Sequence, residues 1–299
     1  MIFIEELKSN AILAPRAHLL VPECTGHEWA DLDTDYIKAI FSESGALLFR
    51  GFPGDVDRLV ALTDRFCYDY MINPKSGRKP VEPEKRVETV NVGNRSFELH
   101  AERHQLPFSP HICFFYCHEA PEKYGETTYC DGSALVDRLS SKMRKMLRIR
   151  KLRYDNIADI EVLAGALGVA ANESDVKQAL DEKGLSGFYE FTSSRIIQRY
   201  CVPFFGKSRF SGKEAFVSYL LFNRYTRGEL HYPTFENSEM IPSHVSDEIR
   251  ERAEEIKIIH KWQKNDLLML DNTRFMHGRN QIDPSGPRSI WTRFGYADF

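Results

Sequence analysis

Apolar positions along this chain follow two rhythms. Short, nearly unbroken apolar runs bounded by turn residues occur at "GALLFRGF" (45–52), "HICFFYC" (111–117), "TTYCDG" (127–132), "EAFVSYLLFN" (214–223), "NDLLMLDN" (265–272) and "RSIWTRFGYADF" (288–299). Each reads as a strand, the first closed by a Pro53-Gly54 turn. Elsewhere the spacing is helical. Val56, Leu59, Val60, Thr63 and Phe66 share one face of "DVDRLVALTDRF", with Asp55 placed to cap it. Leu135, Leu139, Met143, Met146 and Leu147 do the same within 133–154, and further helices are expected near 158–170, 174–183 and 244–258. Residues 72–88 are polar and proline-bearing and read as a loop. Strands at both ends with helices between predict a mainly β core decorated by helices (α+β). Strictly alternating βαβ units are missing, which argues against a Rossmann-like fold. No repeat, low-complexity tract or Gly/Ser linker divides the chain, so a single domain over 1–299 is expected, with a helical insertion around 133–200.

Composition narrows the function classes. With 299 residues, 42% of them apolar, the chain can bury a full core. A net charge of −3 gives no general attraction to nucleic acid or to an acidic membrane. No apolar run approaches the roughly 20 residues needed to span a bilayer, and Glu5 and Glu6 stand where a signal peptide would carry positive charge. A soluble cytoplasmic protein with a small-molecule partner, no nucleic acid and no membrane is expected. The six cysteines form no C-x-x-C pair and read as reduced packing residues.

Candidate chemistry concentrates in "FELHAERHQLPFSPHICFFYCHEAP", which holds His100, His104, His111 and His118, four of the ten histidines. Pro107 and Pro110 forbid a continuous helix through 100–111, so His100 and His104 cannot stack as a helical zinc pair. On an extended backbone residues two apart point the same way, so His100 and Glu102 can reach one ion. His-x-Glu alone is weak evidence. It gains weight from "NDLLMLDNTRFMHGR", where an apolar strand and a turn lead to His277. Two histidines plus one carboxylate leave three open positions and suit non-haem Fe(II) oxygenases. Thr127, 27 residues after His100, and Arg288, 11 after His277, fit the same pattern.

Together these motifs resemble the Fe(II)/2-oxoglutarate-dependent dioxygenases of the taurine dioxygenase and clavaminate synthase superfamily, most strongly its natural-product-biosynthesis branch. The likeness runs through "ALLFRGF", "LHAE", "FFYCHEAPEKYGETTYCDG", the "FN" of 222–223, "LLMLDNTRFMHGR" and Arg288. It implies a double-stranded β-helix (a jelly-roll, cupin-like core) with flanking helices. It implies that His100, Glu102 and His277 ligate Fe(II), and that Arg288 grips the distal carboxylate of 2-oxoglutarate with a hydroxyl contribution from Thr127. A guanidinium fork suits that task because it bonds both carboxylate oxygens at once. O2 would be the second cosubstrate. The retained acidic ligand favours oxygen transfer over halogenation, since the related halogenases replace it with a small residue.

Two departures from the family pattern stand out. Asn265-Asp266 replaces the usual Gly-Asp, and the second basic residue after Arg288 is Arg293, one position later than expected. The resemblance implies C–H hydroxylation of an amino-acid-like or peptide-like small molecule, coupled to decarboxylation of 2-oxoglutarate to succinate. Desaturation, epoxidation or cyclisation would start from the same cofactors. Arg293, Asn223 and His104 are candidate substrate contacts. The basic run from Arg138 to Arg153 reads as a solvated helix face, or as a dock for an acidic carrier protein bearing a tethered substrate. A zinc hydrolase with the same ligands would leave Arg288 and Thr127 unexplained, and a non-catalytic jelly-roll binding protein with a vestigial site would be expected to have lost some of the three ligands and two cosubstrate residues.

Overall fold

The computed structural model describes residues 2–6, 18–22, 27–71, 77–90, 93–193, 195–228 and 232–299. Two sheets form the core. The larger runs in the order Ile2–Glu6, His18–Pro22, Ala46–Phe49, Leu267–Asp271, Ile112–Glu119, Ser289–Tyr296, Val87–Thr89, Pro80–Glu82, with Asp69–Met71 also paired to Ser289–Tyr296. The smaller one runs Ile258–His260, Thr127–Asp131, Phe275–Arg279, Phe97–His100.

The unbroken apolar runs have a simple cause: the central strands are covered on both faces. Cys113, Phe115 and Cys117 pack with Leu268, Leu270, Tyr129 and Phe275 between the sheets. Their alternates Phe114 and Tyr116 join Leu267, Met269 and Trp291 on the outer face, against Trp29, Phe41 and Leu59. Side chains two apart share a face, so one strand feeds two cores. The outer helices, Thr34–Ser44 and Val56–Thr63, begin at Asp33 and Asp55, whose carboxylates accept from the Tyr36 and Arg58 backbone N–H groups. The Asp55 cap was expected from the sequence. Asn265, in the place of the usual glycine before the Leu267–Asp271 strand, takes φ 69°, a left-handed turn that asparagine tolerates better than most residues.

Three expectations change. The stretch 133–154 is not one helix. It forms Gly132–Arg138, then Ser141–Arg148 restarted by the Ser140 hydroxyl accepting from Met143 N–H, then the strand Lys151–Ala158. The insertion is therefore not purely helical: Tyr189–Phe191, Ile196–Pro203, Lys151–Ala158 and Thr234–Phe235 make a sheet packed on the helices Ile160–Leu167 and Glu173–Glu182. "EAFVSYLLFN" is a strand only over Glu214–Phe216. It then turns through Leu220–Phe222 into a π-helix, Asn223–Arg227, a rare form often found at functional sites. Within 72–88, Pro80–Glu82 pairs with Val87–Thr89 instead of looping, while 72–76 lies outside the described residues. The helices near 158–170, 174–183 and 244–258 match Ile160–Leu167, Glu173–Glu182 and Ser243–Ile256. Among the described residues no helix is long and apolar enough to cross a membrane.

Candidate metal and cosubstrate site

His100 ends the strand Phe97–His100 and lies directly opposite His277 of Phe275–Arg279 across an antiparallel pair. That register brings the two imidazole rings to 4.6 Å. Close approach of the strands depends on Gly278, where a Cβ would meet the Phe97 carbonyl oxygen at 2.5 Å. Glu102 follows on the turn after His100, and its Oε2 lies 3.7 Å from His277 Nε2. One donor atom from each of His100, Glu102 and His277 falls within 4.8 Å of the others, and all three residues are buried.

The surroundings prepare these groups for a cation. His100 Nδ1 is 2.9 Å from the Glu98 carbonyl, which can only accept. Nδ1 is therefore the protonated nitrogen, and Nε2 keeps its lone pair. Burial, then the neighbouring His277, pushes His100 down to about 3, so it is neutral at physiological pH. Burial alone would raise the Glu102 carboxyl, but the Arg78 guanidinium at 3.0 Å and the bond with His277 outweigh it and hold the group below the usual carboxylate range. Asn272 fixes the Glu102 backbone from both sides: its Oδ1 accepts from Glu102 N–H at 2.7 Å, and its Nδ2 donates to the Glu102 carbonyl at 3.0 Å and to that of Pro110 at 2.9 Å. Neither Arg78 nor Asn272 was singled out from the sequence as part of the site.

The triad opens on a cavity of about 360 Å³ whose wall also carries Thr127 and Arg288. Thr127 Oγ1 accepts from the Trp262 indole N–H at 3.1 Å, leaving its own hydrogen available to donate. Arg288 donates through Nε to the Gly125 carbonyl and has no carboxylate partner among the described residues. Burial, and then nearby Arg279, lowers it to about 10. A half-buried guanidinium with no carboxylate partner among the described residues, beside a second one, fits a carboxylate ligand. The neutral His100 imidazole, the His277 ring nitrogen beside it and the Glu102 carboxylate likewise fit a divalent cation of intermediate softness. The residues present match the donor set that iron and 2-oxoglutarate require.

The three weaker candidates do not reach this cavity. Arg293 points to the opposite face of its strand, where it bonds the Lys85 carbonyl, Thr63 and Asp64 and lies over the Tyr70 ring. Asn223 is buried in the π-helix, His104 is half-buried in the turn after Glu102, and neither lines the cavity wall. His111 Nδ1 accepts from Ala297 N–H, and His118 stacks on Trp291, so both have structural partners.

Residues 13–293 match the family described as "Taurine catabolism dioxygenase TauD, TfdA family". Among curated proteins, the chain is 26% identical over 282 residues to the dapdiamide synthesis protein DdaC of Enterobacter agglomerans, covering 85% of this chain and 83% of that one. Among solved structures it is similar to PvcB of Pseudomonas aeruginosa (TM-score 0.63, 16% identity, 99% of this chain and 91% of that one). PvcB is described as an Fe, α-ketoglutarate-dependent oxygenase from an isonitrile synthetic pathway. A taurine dioxygenase from Burkholderia xenovorans superimposes with TM-score 0.64 at 14% identity, over 99% of this chain and 90% of that one. The two-sheet core is thus the jelly roll of these enzymes, and the chain belongs to the TauD/TfdA family of Fe(II)- and 2-oxoglutarate-dependent dioxygenases.

Proposed function

We propose that His100, Glu102 and His277 hold Fe(II), that Arg288 and Thr127 receive the distal carboxylate of 2-oxoglutarate, and that the enzyme hydroxylates a C–H bond of an amino-acid-like or peptide-like small molecule in a biosynthetic pathway. One observation carries the reading: three buried ligand residues with donor atoms within 4.8 Å of one another share a cavity with a half-buried Arg288 that has no carboxylate partner among the described residues. The bound cofactors supply the oxidising power, one oxygen atom of O2 ending in succinate and the other in the hydroxylated product.

The chain's own residues do the rest. Glu98 and Asn272 orient His100 and Glu102, while Phe115, Tyr219 and Phe222 pack against the imidazoles and keep water from them. Five arginines line the cavity (Arg78, Arg103, Arg227, Arg279 and Arg288) against the single carboxylate of Glu102. Fe(II) and the 2-oxoglutarate dianion cancel, so the wall retains an excess of positive charge that favours a substrate bearing a carboxylate. The naming of DdaC for dapdiamide synthesis and of PvcB for an isonitrile pathway supports a biosynthetic role.

A freely diffusing substrate is favoured over a carrier-bound one. Arg148, Arg150 and Arg153 of the basic run are already paired with Glu214, Glu236 and Asp155. The five described cysteines are all unpaired, in keeping with a reducing cytoplasm; Cys24 lies outside the described residues. We also take 1–299 as one domain carrying the 133–200 insertion.

Arg288→Ala provides the test. Loss of a charge-assisted fork should weaken 2-oxoglutarate binding by on the order of 10- to 100-fold. Fe(II) affinity, measured separately by calorimetry, should be unchanged. Equal 2-oxoglutarate affinity in variant and parent would remove Arg288 from the role.

A further inference from the structure

A second cavity of about 210 Å³ adjoins the first, and the two share Arg103, Gln105, Val162 and Arg227 on their walls. It is built by the insertion: Asn156, Ile157 and Ala158 come from the Lys151–Ala158 strand, Leu163 and Ala166 from the following helix, and Gln198 from Ile196–Pro203. Its walls combine apolar side chains with a row of carboxamides. Asn156 Nδ2 donates to Gln198 Oε1 at 3.2 Å, and Gln198 Nε2 donates to the Gln105 backbone carbonyl at 2.9 Å.

At the end of this row the pairing stops. The side-chain Oε1 of Gln105 is buried and has no hydrogen-bond partner among the described residues, and the same holds for the Tyr189 hydroxyl on the wall of the second cavity. Both residues are 8% exposed. Buried polar groups are nearly always bonded, and each orphan costs stability. Gln105 lines both cavities and Tyr189 lines the second, so a ligand seated there lies against both side chains and can complete them. A carboxamide oxygen asks for an N–H donor, and a phenol can donate to a carbonyl. A secondary amide supplies both.

We propose that the second cavity is a subsite for an amide-linked, partly apolar arm of the substrate, recognised by the Gln105 carboxamide and the Tyr189 hydroxyl. The carbon to be oxidised then stays beside the triad, and a carboxylate is kept at the arginine-lined junction by Arg227. Arg227 makes no ion pair with a described carboxylate and lines both cavities. The substrate class is an N-acyl amino acid or short peptide. The subsite rests on the proposed oxygenase reading for its catalytic meaning, but its binding chemistry is independent of iron.

A matched series of probes tests it: N-acylglycines from acetyl to phenylacetyl, each against the ester in which oxygen replaces the amide N–H. Binding is measured by calorimetry on protein loaded with Fe(II) and 2-oxoglutarate under argon, and on metal-free protein. At least one amide is expected to bind, about tenfold or more tighter than its ester, because the ester leaves the buried acceptor unpaired. In Gln105→Leu the amide-to-ester ratio should fall towards one, whereas in Tyr189→Phe amide and ester should both bind several-fold more weakly, since both carry the carbonyl that the phenol meets. The ligand-free variants should melt at the parent temperature or about 2 °C above it, since each removes an unpaired buried polar atom. No binding by any amide, equal binding of amide and ester, an unchanged ratio in Gln105→Leu, or unchanged amide affinity in Tyr189→Phe would overturn the subsite. Amide preference in metal-free protein that fails to form an iron complex would overturn the oxygenase reading and leave the subsite standing.

Discussion

His277→Ala abolishes tight Fe(II) binding, while His111→Ala leaves it unchanged. Removing a residue that merely orients a ligand costs about 10- to 100-fold in metal affinity, so losing one of only three protein ligands should cost more than about 100-fold. His277 faces His100 and Glu102 in the buried cluster, whereas His111 Nδ1 is occupied by Ala297 N–H. Both substitutions truncate a partly or fully buried imidazole, so a change due only to general loosening would appear in both. Metal competition against a chromophoric chelator reads the affinities, and the reverse pattern would sink the ligand assignment.

The second large effect concerns Arg78. Its side chain and that of Glu102 are 7% and 5% exposed, and Arg78 also donates to Thr292 Oγ1 and stacks on Phe294. Arg78→Leu strands a buried carboxylate, a change that costs about 3–5 kcal/mol when nothing replaces the partner. Because the carboxyl is held below its ordinary range, its contribution to stability is complete above the unfolded value near pH 4.5 and fades as pH falls through the lower folded value. Without Arg78 the Glu102 pKa rises, and that contribution fades at higher pH. Iron must then displace a proton, so Fe(II) affinity in the variant should weaken as pH falls through the mildly acidic range, beyond the loss seen in the parent. Metal should also restore much of the lost melting temperature, since the cation replaces the guanidinium. A variant with lower stability but the parent's pH profile for iron would show Arg78 to be packing alone.

What the sequence made legible follows from periodicity. Runs such as "ICFFYC" and "LLML" announce strands, and proline at 107 and 110 excludes the helical zinc pair, as the turns there bear out. His100, Glu102 and His277 draw attention because a His-x-Glu pair is joined by a histidine on a later strand, although the extended backbone expected across the pair ends at His100 and a turn carries Glu102. Arg293 misleads for a physical reason. In a strand buried on both faces, apolar content gives no clue to which parity points inward. Thr292 and Phe294 turn towards Arg78 and the site, so Arg293 turns away to Thr63 and Asp64. Arg78 and Asn272 act through long-range contacts, 24 and 170 positions from Glu102, and a lone arginine in a polar stretch or an asparagine in a turn carries no periodic signature. At Ser140 the apolar positions keep their helical rhythm while the hydroxyl caps a new helix, so periodicity alone hides the break. The second cavity depends on the strand pairing of the insertion, which the local pattern of 133–200 does not encode.

The most direct measurement is an anaerobic titration of metal-free protein with Fe(II) and 2-oxoglutarate, followed through the weak visible charge-transfer absorption of the chelate. The account predicts that the band appears only with both present and saturates at one equivalent of each. Iron binding without the band, or no binding of either, would contradict it.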